Sequence, residues 1–456
     1  MDVVRTDSGY ISGTVLGDPD RPVHVYRGIP YAAPPIGDLR WKPPQPVAPW
    51  SGIRECTALS KVAPQPSWPM ISNLPQSEDC LYINVLTPAK GVSDRLPVMV
   101  WLHGGGFGAG SGNERGYKGT RLPLKGIVLV DVNMRLGALG CLAHPLLSRE
   151  SSNAVSGNYL LLDIVAALRW VQKNICVFGG DPDKVTIFGQ SGGGGKVISL
   201  MASPLAEGLF HRAIAESGVR GWGTPLKEAE ALGERLFVQL GVDRERDPLA
   251  SARSLPWQKI IEADLAESRM LFGPWDTVID GWFSLDTPTN VFKVVKQHAV
   301  PLIMGINQGE TTSPGPIPQQ IPFYSNYLSG TNKAGRKGYA YIFDHVPANW
   351  KKVNASCIHA MELPYIFGSY GENDSWRILL NNAIPNGTMW TDPDITEVDS
   401  KVSNMMMDLW TNFAKTGDPS IPGVIDWPAW DESGDQYLYI TEKPEVRSGF
   451  SKIAQK

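Results

Sequence analysis

The sequence predicts an α/β fold with a mostly parallel central sheet and helices on both faces. Three observations carry that expectation. Short apolar, β-branched runs alternate along the chain with helical patterns, which is the signature of strands joined by crossover helices. The run at 185–188 leads straight into Gly189-Gln190-Ser191-Gly192-Gly193 and a small-residue segment reaching Ala202, a strand, a sharp turn and a helix in immediate succession. An apolar run at 97–102 is followed without a gap by His103-Gly104-Gly105-Gly106-Phe107, a glycine-rich turn at a strand end.

Taken in order, the proline-rich stretches 30–49 and 64–75 read as loops, and strands follow at 81–86, 97–102 and 127–132. Residues 158–174 form a helix with Leu161, Val165, Leu168 and Val171 on one face. Beyond the turn at Ser191 come a strand at 210–216, a helix at 227–240, strands at 300–306 and 339–343, a helix at 397–415 and a strand at 436–440. Residues 314–318, three of them proline, read as a loop or lid rim, and no internal repeat is visible. A chain of 456 residues suggests two or three domains by length alone. Candidate site residues spread from 191 to 359 must meet, so 1–456 is read as one catalytic domain. Cap or gorge-wall insertions are expected at about 219–299 and 311–337.

The pattern G-x-S-x-G puts Ser191 on a strained strand-to-helix turn, where Gly189 and Gly193 leave no Cβ to clash as strand and helix converge. Ser191 is therefore the candidate nucleophile. The turn after residue 102 exposes backbone N–H groups, and those of Gly105 and Gly106, joined by that of Gly192, are placed to bind an oxyanion. A phosphate-cradling Walker loop would need Gly-Lys-Ser/Thr after its glycines, and here Phe107-Gly108-Ala109 stands instead. A serine needs a base, and four of the seven histidines lie downstream: His211, His298, His345 and His359. His211 comes too early to follow an acid in chain order, His298 sits at a helix end before Pro301, and His345 closes an apolar strand.

The choice among them comes from resemblance. The chain resembles the type-B carboxylesterase family, the cholinesterase-like branch of the α/β-hydrolases. The motifs that carry this are Gly28-Ile29-Pro30-Tyr31-Ala32 with Pro34-Pro35, Ser77-Glu78-Asp79-Cys80-Leu81-Tyr82-Ile83-Asn84, the His103–Phe107 loop, Asn133-Met134-Arg135-Leu136-Gly137, Gly157-Asn158 with Leu162-Asp163, and Phe178-Gly179-Gly180-Asp181-Pro182. The resemblance implies an α/β-hydrolase fold with a loop and helix cap, Glu310 as the acid of a triad, His359 as its base, and Ser217 as the serine that supports the acid. Glu310 also follows the strand-like run 300–306, and strand C-terminal ends are where open α/β sheets place their sites. Glu362, three positions after His359, is the competitor and reads as a local contact. The resemblance further implies a disulfide between Cys56 and Cys80, buried pairs Arg40–Glu78 and Arg135–Asp163, and a substrate pocket walled by Phe107, Trp68, Trp222, Leu271 and Gly273.

Three departures from the family stand out. Gln190 replaces the glutamate that many members carry beside the nucleophile, which removes a negative charge from the gorge floor and disfavours choline esters. Gly273 and Leu271 fall where bulky aromatics close the acyl pocket of cholinesterases, which implies an open pocket. Only 49 positions separate Glu310 from His359, so a gorge-wall helix is trimmed or missing.

A net charge of −4 gives no electrostatic footprint for nucleic acid or an anionic membrane, and no run of 18 apolar residues occurs. No leader pattern opens the chain, so it is absent or already removed. Of the five cysteines, Cys141, Cys176 and Cys357 read as buried thiols. No C-x-x-C, H-x-H or H-E-x-x-H spacing exists, so neither a metal nor any other cofactor is expected. Sequons at Asn354, Asn373 and Asn386 and the implied disulfide lean toward a secreted or periplasmic protein. The reading is a serine carboxylic-ester hydrolase that acts through an acyl-enzyme on neutral small-molecule esters, as monomer or homodimer, without nucleic-acid partners. An acyltransferase or amidase with the same triad is the alternative, and a non-catalytic adhesion protein on this fold the remoter one.

Overall fold

The computed structural model describes residues 3–67, 74–218, 223–268, 273–310, 317–372, 376 and 391–453. Its main sheet has eleven strands, in chain order β1 (Thr14–Leu16), β2 (Val23–Pro30), β3 (Tyr82–Thr87), β4 (Leu96–Leu102), β5 (Val128–Val132), β6 (Gly180–Gln190), β7 (Arg212–Glu216), β8 (Leu302–Asn307), β9 (Gly338–Phe343), β10 (Gln436–Ile440) and β11 (Glu445–Ser448). Across the sheet they lie in the order β11-β10-β9-β8-β7-β6-β4-β5-β3-β2-β1. Every neighbouring pair from β5 to β10 is parallel, whereas β3, β2 and β1 at one side and β11 at the other pair antiparallel.

The parallel block needs cover on both faces, and its strands read accordingly as nearly continuous apolar runs. Side chains alternate, so β4 sends Val98, Val100 and Leu102 into one core and Met99 and Trp101 into the other. The first core is completed by α1 (Tyr159–Asn174), α2 (Gly192–Met201), α3 (Leu226–Gln239), α4 (Trp257–Ser268) and α5 (Ile317–Lys333). The second is completed by α6 (Glu397–Thr416), which buries Val402, Met406, Leu409, Trp410 and Phe413. A capping box of Thr396 and Asp399 opens α6, and Gly417 at φ 82° closes it. Asp399 also accepts hydrogen bonds from His345 Nε2 at 3.0 Å and Tyr365 Oη at 2.8 Å, which ties the start of α6 to the end of β9.

Of the segment 311–337 expected as part of a cap, the described residues Ile317–Lys333 form instead a crossover helix packed on the sheet. Helix α5 fills the connection between the parallel strands β8 and β9, with Ile317, Ile321, Tyr324, Tyr327 and Leu328 buried against the sheet. Prolines at 314, 316, 318 and 322 conceal the helical pattern. Pro318 lies in its first turn, where a missing N–H is tolerated, and Pro322 in its interior.

Both inferred ion pairs form. Arg40 holds Glu78 through two bonds, Nε–Oε2 at 2.7 Å and Nη2–Oε1 at 2.5 Å, and donates to the carbonyl oxygens of Ala252 and Leu255. Arg135 holds Asp163 on α1 through Nε–Oδ2 at 2.9 Å and Nη2–Oδ1 at 2.6 Å. The inferred disulfide does not form. Cys56 and Cys80 are separate buried thiols. The first is fixed between the strand Tyr10–Ser12 and β2 by its own backbone bonds to Ser12 and Arg27, and the second faces Asp163 and Arg135. Burial pushes the Cys56 thiol up to about 11 and that of Cys80 well above its ordinary value. Cys141 and Cys357 are buried as expected, but Cys176, on the short turn after α1, is exposed.

Candidate active site

Ser191 stands between the end of β6 and the start of α2, with φ 59° and ψ −124°. A non-glycine residue in that conformation stores roughly 1–3 kcal/mol of strain, which the surrounding contacts must hold. They do so at close range. Ser191 N–H donates to Glu216 O at 2.8 Å at the end of β7, and Ser191 O accepts from Gly195 N–H at 3.0 Å inside α2. A Cβ on Gly193 would fall 1.9 Å from Leu102 O at the end of β4, so helix and strand approach too closely for any side chain there.

The loop after β4 lies alongside. Gly105 and Gly106 have φ of 81° and 62°, the left-handed region that favours glycine. A Cβ on Gly105 would come within 2.4 Å of Ala109 O, and one on Gly104 would touch Ser191 Cβ at 3.4 Å. His103 is buried, and desolvation together with the Lys196 charge pulls its imidazole well below the ordinary range. It is therefore neutral, with Nδ1–H placed 3.0 Å from Gly104 O.

Glu310 follows β8 and is fully buried, with Oε2 2.7 Å from His359 Nδ1. The 357–362 turn that carries His359 is pinned to the end of β8 by Gly309 N–H to Cys357 O at 2.9 Å and Asn307 Nδ2 to Ile358 O at 2.8 Å. Burial alone would lower the His359 pKa, but the Glu310 charge and hydrogen bond overcome it, and the net direction is upward. The ring keeps 21% of its side-chain surface exposed, whereas Glu310 keeps none. Glu362 is also buried. Its Oε2 accepts from Asn307 Nδ2, its Oε1 has no hydrogen-bond partner, and burial pushes its carboxyl up to about 7. Gln190 is buried with Nε2 at 3.4 Å from both ring nitrogens of His359, so it packs against the imidazole as a neutral wall.

Three sequence expectations need amendment. Ser217 spends its N–H on Gly305 O at 2.8 Å, continuing the pairing of β7 with β8, and its buried hydroxyl makes no hydrogen bond to Glu310. Phe107 is 1% exposed and packs into the first core, with Lys196 Nζ 5.6 Å from its ring centroid. At Gly273, φ 63°, the space of a side chain is filled by the Trp275 indole 2.4 Å away, so glycine there does not open a pocket. Trp68, Trp222 and Leu271 lie outside the described residues. The sequence reading also missed Lys196, fully buried in α2. The signal was available, a single charge in a helix whose other residues are small or apolar.

A serine elbow on a parallel sheet with these surroundings defines an α/β-hydrolase. The sequence matches the carboxylesterase family over residues 1–317 and 321–455, and the chain belongs to that family. It is 31% identical to the acylcarnitine hydrolase of Mus musculus over 520 residues, covering 97% of this chain and 88% of the relative. It is 32% identical to the para-nitrobenzyl esterase of Bacillus subtilis over 499 residues, covering 98% and 96%. That alignment is longer than this chain, so the relative carries residues that this one lacks. A solved PNB esterase superposes with a TM-score of 0.84 at 29% identity, covering 98% of this chain and 97% of its own. Fold and family make the chain a serine carboxylic-ester hydrolase. No described helix is long and apolar enough to cross a membrane.

Proposed function

We propose that ester hydrolysis in this chain is carried out by Ser191 as nucleophile, His359 as general base and Glu310 as the acid that orients it. The observation that carries the reading is the 2.7 Å contact between Glu310 and His359 Nδ1, which leaves Nε2 for the serine proton. Ser191 Oγ attacks the ester carbonyl while His359 takes its proton, and the buried Glu310 carboxylate stabilises the imidazolium. The N–H groups of Gly105, Gly106 and Gly192 receive the charge that develops on the carbonyl oxygen. His359 then returns the proton to the departing alcohol, and water activated by the same ring releases the acid from the acyl-enzyme. The substrates are neutral small esters, because Gln190 brings no charge to the pocket floor. Residues about 219–299 contribute part of the pocket wall. The test is labelling with an organophosphate followed by peptide mass spectrometry. A single adduct on Ser191, abolished in Ser191→Ala, is expected, and an adduct on another residue in the active wild-type enzyme overturns the assignment.

A further inference from the structure

Lys196 is 0% exposed, in a helix whose first ten residues from Gly192 are all buried. A buried ammonium is costly unless its donors are used. Here Nζ donates to His103 O and to Gly106 O, each at 2.9 Å. Those two carbonyls flank the loop segment that matters. Fixing His103 O sets the peptide plane entering Gly104, and fixing Gly106 O sets the plane entering Phe107. Between them lie the two peptides whose N–H groups belong to Gly105 and Gly106. Three consecutive glycines have little conformational preference of their own, so contacts must orient these donors: His103 Nδ1 at Gly104 O (3.0 Å) and Ala109 N–H at Gly105 O (2.9 Å) within the loop, and Lys196 Nζ from outside it at both ends.

The same contact draws the loop onto the helix. A Cβ on Gly192 would fall 2.3 Å from Gly106 O and 2.5 Å from Gly106 Cα, so the third donor residue and the lysine-held carbonyl share one tight junction. The Phe107 ring closes the other side of the ammonium.

We propose that Lys196 is a positioning residue for the oxyanion donors, clamping both ends of the 104–106 segment so that its N–H groups are aligned before substrate arrives. The proposal rests on the reading of Gly105, Gly106 and Gly192 as the oxyanion site. Preorganised donors act on the transition state and on tetrahedral adducts, and hardly on the bound ester. The clamp therefore predicts a particular kinetic signature.

The experiment compares wild type, Lys196→Met and Ser191→Ala, with active sites of the first two counted by organophosphate titration. A p-nitrophenyl ester gives kcat and KM, and an aryl trifluoromethyl ketone, which forms a tetrahedral adduct with a serine, gives an inhibition constant. Lys196→Met is expected to lose on the order of 10²-fold in kcat with KM changed by no more than about twofold, and to bind the ketone more weakly by the same factor as kcat/KM falls. Unchanged kcat, or a loss of activity with no loss of ketone affinity, overturns the proposal. If Lys196→Met does not fold, Lys196→Gln is measured in its place under the same criteria. Ser191→Ala separates the two readings. Activity surviving there defeats the Ser191 assignment itself, whereas a dead Ser191→Ala beside a fully active Lys196→Met defeats only the clamp.

Discussion

Glu310 Oε2 and His359 Nδ1 are 2.7 Å apart although 49 positions separate the residues in the chain. The carboxylate is sealed from solvent and the ring is not. The interaction therefore acts on the imidazole from behind and raises its proton affinity above the ordinary value of 6.5.

If His359 is the base as proposed, it must be neutral to work, so kcat/KM is expected to rise with pH through its folded-state pKa, with a midpoint above 6.5. Glu310→Gln removes the charge that raises this pKa, and the midpoint should fall along with the rate. A pH–rate profile of both enzymes checks the direction, and an unmoved midpoint in the variant would count against the pairing.

The two buried glutamates near His359 should behave differently on substitution. On the proposed role of Glu310, Glu310→Gln is expected to lower kcat by about 10⁴-fold, the loss typical of a triad acid. Glu362→Gln should leave most activity and alter stability instead. Its carboxyl is raised from the ordinary 4.5 to about 7, so the native state binds the extra proton and stability falls as pH rises from about 4.5 to about 7. Urea unfolding midpoints across that window should decline in wild type and be flatter in Glu362→Gln. The raised His359 adds a loss of the same sign that remains in the variant.

Gly105→Ala combines a left-handed φ with a Cβ 2.4 Å from Ala109 O, so the loop must shift. Displacing one of the proposed oxyanion donors should remove roughly 2.7–4 kcal/mol of transition-state stabilisation. A large fall in kcat at nearly constant KM is expected. A pure KM effect would mean the loop only lines the pocket.

A neutral Gln190 against the His359 ring offers nothing to a quaternary ammonium. A neutral ester is therefore expected to exceed a choline ester of the same acyl length in kcat/KM, and Gln190→Glu to narrow the gap. A carboxylate a few Å from a cation contributes about 1–4 kcal/mol depending on the effective dielectric. Preference for the choline ester in wild type would refute the electrostatic argument.

Arg135→Ala leaves Asp163 buried at 0% exposure with its partner gone. The loss of stability is expected to be roughly 3–5 kcal/mol, with specific activity of the folded fraction unchanged. Denaturant unfolding beside active-site titration separates the two.

Much of this was legible in the sequence because the signals are local. The elbow at Ser191, the glycine loop at 104–106 and the apolar runs of β4 to β8 each announce themselves within about ten residues. Helix α5 did not, because its prolines contradict the propensity that packing against β8 and β9 overrides. Gly273 failed for a different reason: one position's identity says nothing of which neighbour fills its space, and Trp275 does. The pairing of Glu310 with His359 came from resemblance, since no periodicity links residues on separate strand ends. Lys196 was visible as an odd charge in α2, but its meaning depends on two carbonyls some ninety residues earlier.

The arrangement of β6, β7, β8 and β9 as successive parallel neighbours has a kinetic consequence. Each parallel pairing closes only after its intervening helix has been laid down, and folds rich in such distant contacts form slowly. Ser191 gains its setting when β4, β6 and β7 are joined, but the histidine arrives with the turn beyond β9. On dilution from denaturant, helical circular dichroism should therefore recover well before esterase turnover, with a refolding species between them that has its nucleophile elbow and no base.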